Sequence, residues 1–211
     1  MLPELDRPSS RTPQALRDTR RERQHMINLF QPQVGAEELE AVAGAFEDRW
    51  RGHGPRTKAF EAAFAEHPGV APEHVGSVGW AASGLFLAAG ALGLRDGDEV
   101  VLPSLSFLAA ANAVLAHGGR PVFCDVDPRT LNPTWEEYEA ATTERTRAVV
   151  TLHQGGHPGD IERIAARCRE LGIVLIEDAA CSVASAWTRG PRHRRRRVSP
   201  SRTVCAADGS R

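Results

Sequence analysis

Short apolar runs alternate with longer stretches of helical periodicity through the middle of the chain, between residues 75 and 176. The runs are rich in Val, Ile and Leu, as is typical of strands that are buried on both faces of a parallel sheet. They predict strands at 75–78, 98–102, 121–124, 148–152 and 173–176, separated by helices at 82–92, 107–117, 134–142 and 160–171. Repeated strand–helix units of this length predict an α/β fold with a mostly parallel sheet and helices on both faces.

Two further helices are predicted ahead of the first strand. The first, at 36–48, is amphipathic and carries four apolar residues on one face. These are Leu39, Val42, Ala43 and Phe46. In the second helix, Phe60, Ala63 and Phe64 are expected to face the interior. Lys58, which is the only lysine in the chain, falls on the polar side of that helix.

The two ends of the chain differ from this core. Residues 1–25 are polar, contain three prolines and show no periodicity, so we expect a disordered extension and consider Met26 an alternative translation start. Residues 26–188 carry 12 basic and 22 acidic residues, whereas residues 189–211 carry eight arginines and one acid. We expect this basic tail to be disordered or to come from a shifted reading frame. No aromatic residue interleaves its arginines, so specific nucleic-acid recognition is not expected.

The composition narrows the class of protein. At 41% hydrophobic and 25% charged residues, the chain is ordinary for a soluble globular protein. No apolar run approaches membrane-spanning length, and the N-terminus has no signal-peptide core, so a cytoplasmic location is expected. The four cysteines lack metal-binding spacing and are expected to be reduced thiols. His153 and His157 are four residues apart, but the glycines and the proline around them break any helix, so no metal site is expected.

The last predicted strand runs directly into two acids, Glu177 and Asp178. Ligands of open α/β sheets bind at the carboxyl ends of the strands. A carboxylate that is half withdrawn from water at such a position needs a partner, and a cationic group on a ligand would supply one. Asp178 is therefore the first candidate binding residue. The competing interpretation, that Asp178 only caps a following helix, fits this stretch equally well.

Four stretches of the chain together resemble the DegT/DnrJ/EryC1/StrS aminotransferases, which are pyridoxal-phosphate enzymes of fold type I. The matching residues are Ile27-Asn-Leu-Phe with Gly54-Pro55; Gly97-Asp-Glu-Val100 with Pro103-Ser104 and Ala111-Asn-Ala-Val114; Pro121-Val-Phe-Cys-Asp-Val-Asp-Pro128; and His153, Gly156, Pro158 and Asp160 with Ile176-Glu-Asp-Ala-Ala180. Their order and spacing cover residues 27 to about 187. This is roughly the first half of a family member, so residues 26–188 are interpreted as an incomplete large domain.

The resemblance implies a site for pyridoxal 5'-phosphate. Asp178 would pair with the pyridine nitrogen and keep it protonated, which strengthens the ring as an electron sink. Phe107 matches the aromatic residue that stacks on the ring, although a core phenylalanine at a helix start is the competing interpretation.

The remaining implied contacts depart from the usual family pattern. The phosphate would lie at the helix N-terminus formed by Ala81, Ala82 and Ser83. Ala82 replaces the family's threonine, so Ser83 would have to supply the hydroxyl. Cys181 stands where the family commonly has a glutamine near the cofactor's phenolic oxygen, and we expect it to be a small buried residue rather than a nucleophile.

The catalytic lysine of the family lies well beyond the acidic pair, and no lysine follows Lys58 in this chain. Arginine stays protonated and cannot replace it. The resemblance implies a homodimeric enzyme that aminates a keto sugar, linked to a nucleotide, with glutamate as the amino donor, in antibiotic-sugar or polysaccharide biosynthesis. The alternative is a catalytically inactive, cofactor-binding or regulatory paralogue. A nicotinamide-dependent Rossmann enzyme is disfavoured because no G-x-G-x-x-G follows any predicted strand.

Overall fold

The computed structural model describes residues 33–50, 52–183, 185–187, 196–197 and 203–204. The disorder predicted for residues 1–25 and for most of the basic tail falls outside these residues. The described part of the chain has three layers, a parallel sheet with helices on both faces, which confirms the predicted fold class.

Five parallel strands form the sheet in the order β2-β1-β3-β4-β7, and the first four of these in the chain are the longer ones. Their bounds are Glu99–Pro103 for β1, Arg120–Cys124 for β2, Thr146–Leu152 for β3 and Val174–Asp178 for β4. Three two-residue strands follow: β5 (Ala186–Trp187) pairs antiparallel with β6 (Arg196–Arg197), and β7 (Thr203–Val204) runs parallel to β4.

Six α-helices lie within the described residues. They are α1 (Ala36–Glu47), α2 (Pro55–Glu66), α3 (Ala81–Ala91), α4 (Ala109–Ala116), α5 (Trp135–Ala141) and α6 (Ile161–Leu171). The strands and helices predicted from residue 82 onward are confirmed with bounds that differ by no more than two residues.

Helices α3 and α4 cover one face of the sheet. Small side chains, chiefly alanines, let these helices approach the strands closely. The buried cluster on this face contains Leu85, Ala89, Val100, Leu102, Ala109, Ala110, Ala113, Val114, Ala148, Val150 and Ile176. Since successive side chains of a strand point to opposite faces, Val101 and Val149 belong to the other layer.

Helices α5 and α6 cover that opposite face with larger side chains. Trp135, Tyr138 and Ile164 are almost fully buried there. The Tyr138 hydroxyl donates a hydrogen bond of 3.0 Å to the carbonyl oxygen of Val150. Thr134 begins α5 as predicted, because its backbone N–H and hydroxyl both donate to the Glu137 carboxylate in a capping box.

The amino edge of the sheet is held by one buried carboxylate. The side chain of Glu99 is completely buried at the start of β1. It accepts hydrogen bonds from the Thr143 hydroxyl (2.6 Å), from Arg145 Nε (2.9 Å) and from the Arg120 guanidinium. The Thr143 hydrogen bond, and then the bond from Arg120, lower the pKa of Glu99 from 4.5 to about 2. Glu99 therefore ties together the amino ends of β1, β2 and β3.

The two N-terminal helices form where predicted, but their apolar faces are not buried by the described residues. Leu39 is 70% exposed and Phe46 is 79% exposed, with Val42 and Ala43 also exposed. In α2, Phe60 and Ala63 are exposed and Phe64 is half-buried, so the predicted interior face is wrong for the first two; the buried residue is Ala65. Lys58 lies on the exposed side of α2, as predicted.

The strand predicted at 75–78 is absent, and this prediction is wrong. Residues 75–78 have no regular secondary structure. The backbone N–H and the hydroxyl of Ser77 both donate to Glu61 Oε1, each at 2.8 Å. This side-chain carboxylate on α2 takes the hydrogen bond that a neighbouring strand would otherwise accept.

No helix among the described residues is both apolar enough and long enough to cross a membrane.

Candidate functional site

The carboxyl edge of the sheet gathers the candidate binding residues. Strands β1 and β4 end there, at Pro103 and Asp178. Helix α3 leads into β1 and α4 follows it, so both helices run against the strands and begin at this same edge. Ile176 faces the α3–α4 layer, and Asp178, two residues later, points to the same side. The topology therefore places Asp178 on the side of the sheet where these two helices begin.

Asp178 is more buried than the sequence suggested, with only 6% of its surface exposed. Its Oδ1 accepts a hydrogen bond of 3.1 Å from the backbone N–H of Ala180. Burial raises the pKa of Asp178, while the Ala180 hydrogen bond and the charge of His153 oppose that rise. None of the described arginine, lysine or histidine side chains forms a salt bridge with it. Asp178 is thus a buried carboxylate without a directly contacting cation.

The capping interpretation of Asp178 is wrong. Its hydrogen bond reaches only two residues along the chain, which is an Asx-turn rather than a helix cap. Residues 179–183 form turns, and no helix follows β4 in the part of the chain that the structure describes.

The first turn of α3 offers free backbone donors. Trp80 is its N-cap residue in an extended conformation, and no side chain caps the helix. The Ser83 N–H donates to the Trp80 carbonyl oxygen at 3.1 Å. No acceptor for the N–H groups of Ala81 and Ala82 lies among the described residues. Two N–H groups at the positive end of the helix dipole are therefore available to an anion.

Phe107 lies in the loop between β1 and α4, because α4 begins at Ala109 rather than at residue 107 as predicted. The loop is held at its start by a hydrogen bond of 2.9 Å from the Ser104 N–H to the Cys124 carbonyl oxygen. Phe107 is 64% exposed, so the interpretation as a core residue is wrong. Its ring is available at the carboxyl edge, and stacking on a ligand stays a prediction.

Cys181 is exposed, which contradicts the expected burial. The turn after β4 explains the difference, since the Ser182 N–H donates to the Ala179 carbonyl oxygen at 2.9 Å and directs Ser182 inward. Gly156 packs against this turn, with a φ of 80°. A Cβ atom at Gly156 would lie 2.9 Å from Ser185 Oγ and 3.0 Å from the Cys181 carbonyl oxygen. The loop after β3 and the turn after β4 are therefore in close contact.

Sequence reasoning missed a buried pair next to Asp178. Both His153 and Glu177 have 0% of their surface exposed, and His153 Nε2 lies 3.1 Å from Glu177 Oε2. From the sequence, His153 is considered as a metal ligand and as part of a stretch that resembles the aminotransferase family, but not as a partner of Glu177. The available signal was a histidine directly after one strand and an acid at the end of another, because the ends of neighbouring parallel strands meet.

These elements suit one kind of ligand. The buried Asp178 carboxylate lacks a cation, the start of α3 lacks an anion, and Phe107 presents a flat apolar surface. A planar ligand with a cationic ring atom and an anionic arm would satisfy all three.

Known proteins are similar to much of the chain. The model of the DegT/DnrJ/EryC1/StrS aminotransferase family matches residues 32–202. The dTDP-4-dehydro-2,3,6-trideoxy-D-glucose 4-aminotransferase of Saccharopolyspora spinosa is 57% identical over 160 residues, which are 76% of this chain and 42% of that protein.

Solved structures have a similar fold. The aminotransferase TlmJ from Streptoalloteichus hindustanus has a TM-score of 0.75 and 56% sequence identity, covering 78% of this chain and 45% of that one. NtdA from Bacillus subtilis, which was crystallised with bound cofactor PMP, has a TM-score of 0.60 and 28% identity, covering 68% of this chain and 33% of NtdA. The chain therefore spans less than half the length of these relatives.

Proposed function

The chain belongs to the DegT/DnrJ/EryC1/StrS aminotransferase family, and we propose that it forms the cofactor-binding part of a sugar aminotransferase. Pyridoxal 5'-phosphate is the cofactor on which this family depends. The observation that carries the proposal is Asp178, a carboxylate only 6% exposed, at the carboxyl edge of a parallel sheet and without a salt bridge among the described residues. Such a group calls for a cationic ligand atom.

The residues present fit this cofactor. Asp178 would hold a proton on the pyridine nitrogen through a charge-assisted hydrogen bond. The free N–H groups of Ala81 and Ala82, with the Ser83 hydroxyl, would bind the phosphate, and Phe107 would stack on the ring. Cys181 is exposed and could offer only a weak hydrogen bond. When bound, the cofactor supplies an electron sink for the carbon that is aminated.

The proposed substrate is a nucleotide-linked keto sugar, and the proposed amino donor is glutamate. The support is the 57% identity to the Saccharopolyspora spinosa enzyme, whose name specifies a dTDP-linked keto sugar aminated at carbon 4. We also propose that the protein assembles as a homodimer, consistent with the exposed apolar side chains of α1, among them Leu39 and Phe46. Sedimentation velocity tests this assembly, and a monomer at all concentrations would contradict it.

The decisive experiment is a titration of the 211-residue protein with pyridoxal phosphate, followed by absorbance and fluorescence. We expect saturable binding that weakens roughly tenfold to hundredfold in Asp178→Asn, because a charge-assisted hydrogen bond is lost. Asp160→Asn is the matched control, since Asp160 begins α6 on the opposite layer. Absence of binding, or equal binding by Asp178→Asn, would overturn the proposal.

A second candidate function follows from the single lysine. Lys58 is exposed on α2 and no other lysine is present in the sequence. These 211 residues would then bind the cofactor without turnover unless residues outside them supply the lysine. We expect no glutamate-dependent amination of a dTDP-keto sugar by this chain alone, as measured by mass spectrometry. Amination that disappears in Lys58→Arg would contradict this expectation and identify Lys58 as the amine.

A further inference from the structure

His153 and Glu177 form a pair that is completely buried on the side of the sheet opposite to Asp178. Leu152 and Asp178 are register partners, so the next side chain of β3 and the preceding one of β4 point to the other face. There His153 Nε2 lies 3.1 Å from Glu177 Oε2. An ionised carboxylate only accepts hydrogen bonds, so His153 Nε2 carries the hydrogen when Glu177 is charged.

The pair is not a saturated structural network. His153 Nδ1 and Glu177 Oε1 are buried without any hydrogen-bond partner in the part of the chain that the structure describes. Buried polar atoms of native proteins are nearly always paired, and exceptions call for an explanation in function or bound water. Replacing a buried ion pair by well-packed apolar residues is often neutral or stabilising, so packing alone does not account for the pair.

The pair is coupled to Asp178 in two ways. The His153 backbone N–H donates to the Asp178 carbonyl oxygen at 3.2 Å, which fixes the end of β4. The charge of His153 also favours the ionised form of Asp178 and so opposes the effect of burial on its pKa.

The remaining titratable groups of that layer do not supply this charge. Burial raises the pKa of Tyr138 well above its ordinary value, and it raises the pKa of Cys168 to about 11 and of Cys124 to about 12. Asp160 lies at the start of α6, where Arg163 Nη1 is 3.8 Å from its carboxylate. His153 is the basic side chain that is fully buried in contact with Glu177.

We propose that His153 and Glu177 are positioning residues for Asp178: the Glu177 carboxylate holds the His153 ring in its charged form, and that charge keeps Asp178 ionised for its ligand. The role of Asp178 toward a cationic ring rests on the proposed function. The coupling between the three side chains does not, and it can be measured without any cofactor.

The first test is NMR of the 211-residue protein with labelled aspartate carboxyl carbons and labelled histidine ring nitrogens, assigned with Asp178→Asn and His153→Gln. In the wild type, both His153 ring nitrogens are expected to be protonated over the pH range in which Asp178 is ionised. In His153→Gln, the titration midpoint of Asp178 moves upward because a stabilising positive charge is lost.

Glu177→Gln gives the sharper result. If Glu177 acted only by repelling Asp178, its removal would lower the midpoint of Asp178. In our proposal the His153 ring becomes neutral without Glu177, so the midpoint rises instead. A fall in Glu177→Gln, or a neutral His153 ring in the wild type while Asp178 is ionised, overturns the proposal. The wild-type measurement decides even where a variant does not fold, and Glu139→Gln on the exposed side of α5 is the matched control.

A second readout separates this inference from the proposed function. His153→Gln should weaken pyridoxal phosphate binding about tenfold at the pH where its Asp178 has become largely protonated. If the midpoints move as expected but the chain takes up no cofactor, the inference holds and the proposed function fails. If the cofactor binds through Asp178 and the midpoints do not move, the inference alone fails.

Discussion

Glu99 offers a quantitative test of how the sheet is held together. Its pKa of about 2, against the ordinary value of 4.5, corresponds to about 3 kcal/mol of preferential stabilisation of the carboxylate in the folded protein. Arg120 and Arg145 are 58% and 63% exposed, so water and salt screen their part of this interaction. We therefore expect Glu99→Gln to lower the free energy of unfolding by about 2 kcal/mol at pH 7.

The pH dependence follows from the direction of the shift. A carboxyl group whose pKa is lowered by folding contributes its full stabilisation above the unfolded value of 4.5, and this contribution is lost as the pH falls toward 2. The difference between the wild type and Glu99→Gln should therefore be constant between pH 7 and pH 5. It should shrink to about half near pH 3.

Urea denaturation, followed by circular dichroism and by the fluorescence of the four tryptophans, of which Trp135 is buried in the core, measures this difference. Glu139→Gln is the control, because this carboxylate is 57% exposed and pairs with Arg167 at the surface. It should change stability by less than about 0.5 kcal/mol. The reasoning about Glu99 fails if its variant is as stable as this control at pH 7, or if its loss of stability is the same at pH 7 and pH 3.

Three further predictions concern the two layers and the candidate site. Gly156→Ala should lower the free energy of unfolding by about 1–2 kcal/mol and weaken pyridoxal phosphate binding, because the new Cβ atom would crowd the turn after β4. Gly155→Ala is the control, since Gly155 also has a positive φ, of 60°, but has open space around it, and this variant is expected to keep that binding. Tyr138→Phe should cost about 1 kcal/mol in urea denaturation, since it removes a buried hydrogen bond of 3.0 Å to β3; an unchanged midpoint would contradict the assignment of that bond. In a Cys205→Ser background, Ellman's reagent should modify one thiol of the native protein, Cys181, and leave the two buried thiols unmodified until urea is added.

The sequence pattern was sufficient for the parallel sheet and for the position of the acids. Apolar runs of strand length are distinctive when helices of regular period separate them, so β1 to β4 were predicted to within two residues, whereas the two-residue strands β5, β6 and β7 were not predicted. The acids of 177–178 were placed at the carboxyl edge for the same reason, although they belong to β4 itself rather than following it. These predictions succeeded because the alternation of strands and helices defines the topology, and they did not require side-chain chemistry.

Periodicity was insufficient wherever the outcome depended on a distant partner. It identifies the apolar face of α1 but not what covers it, and Phe46 is 79% exposed in the described structure. It also favoured a strand at 75–78, where the Glu61 carboxylate instead binds Ser77. Cys181 was expected to be a small buried residue rather than a nucleophile, yet the turn after β4 buries Ser182 and leaves Cys181 exposed. Each of these errors arose because the outcome depends on a residue distant in the sequence or on the conformation of a turn, and periodicity reports neither.

The two consecutive acids illustrate how one strand end can serve both faces of a sheet. Since side chains alternate along β4, Asp178 points toward the layer of α3 and α4, and Glu177 points toward the layer of α5 and α6. Asp178 has no cation in contact with it among the described residues, whereas Glu177 contacts His153 at 3.1 Å. A protein carboxylate that binds a cationic ligand while almost fully buried must be kept ionised by a positive charge located outside the ligand's binding position. A histidine on the opposite face meets this condition, because it acts through the strand end and leaves the binding face free.

The order of the two acids therefore matters: exchanging them, as Glu177→Asp with Asp178→Glu, would preserve the net charge but alter the reach of each carboxylate. We expect the exchanged protein to fold, to lose the 3.1 Å contact and to bind pyridoxal phosphate at least about tenfold more weakly, and unchanged binding would refute the division of roles between the two faces.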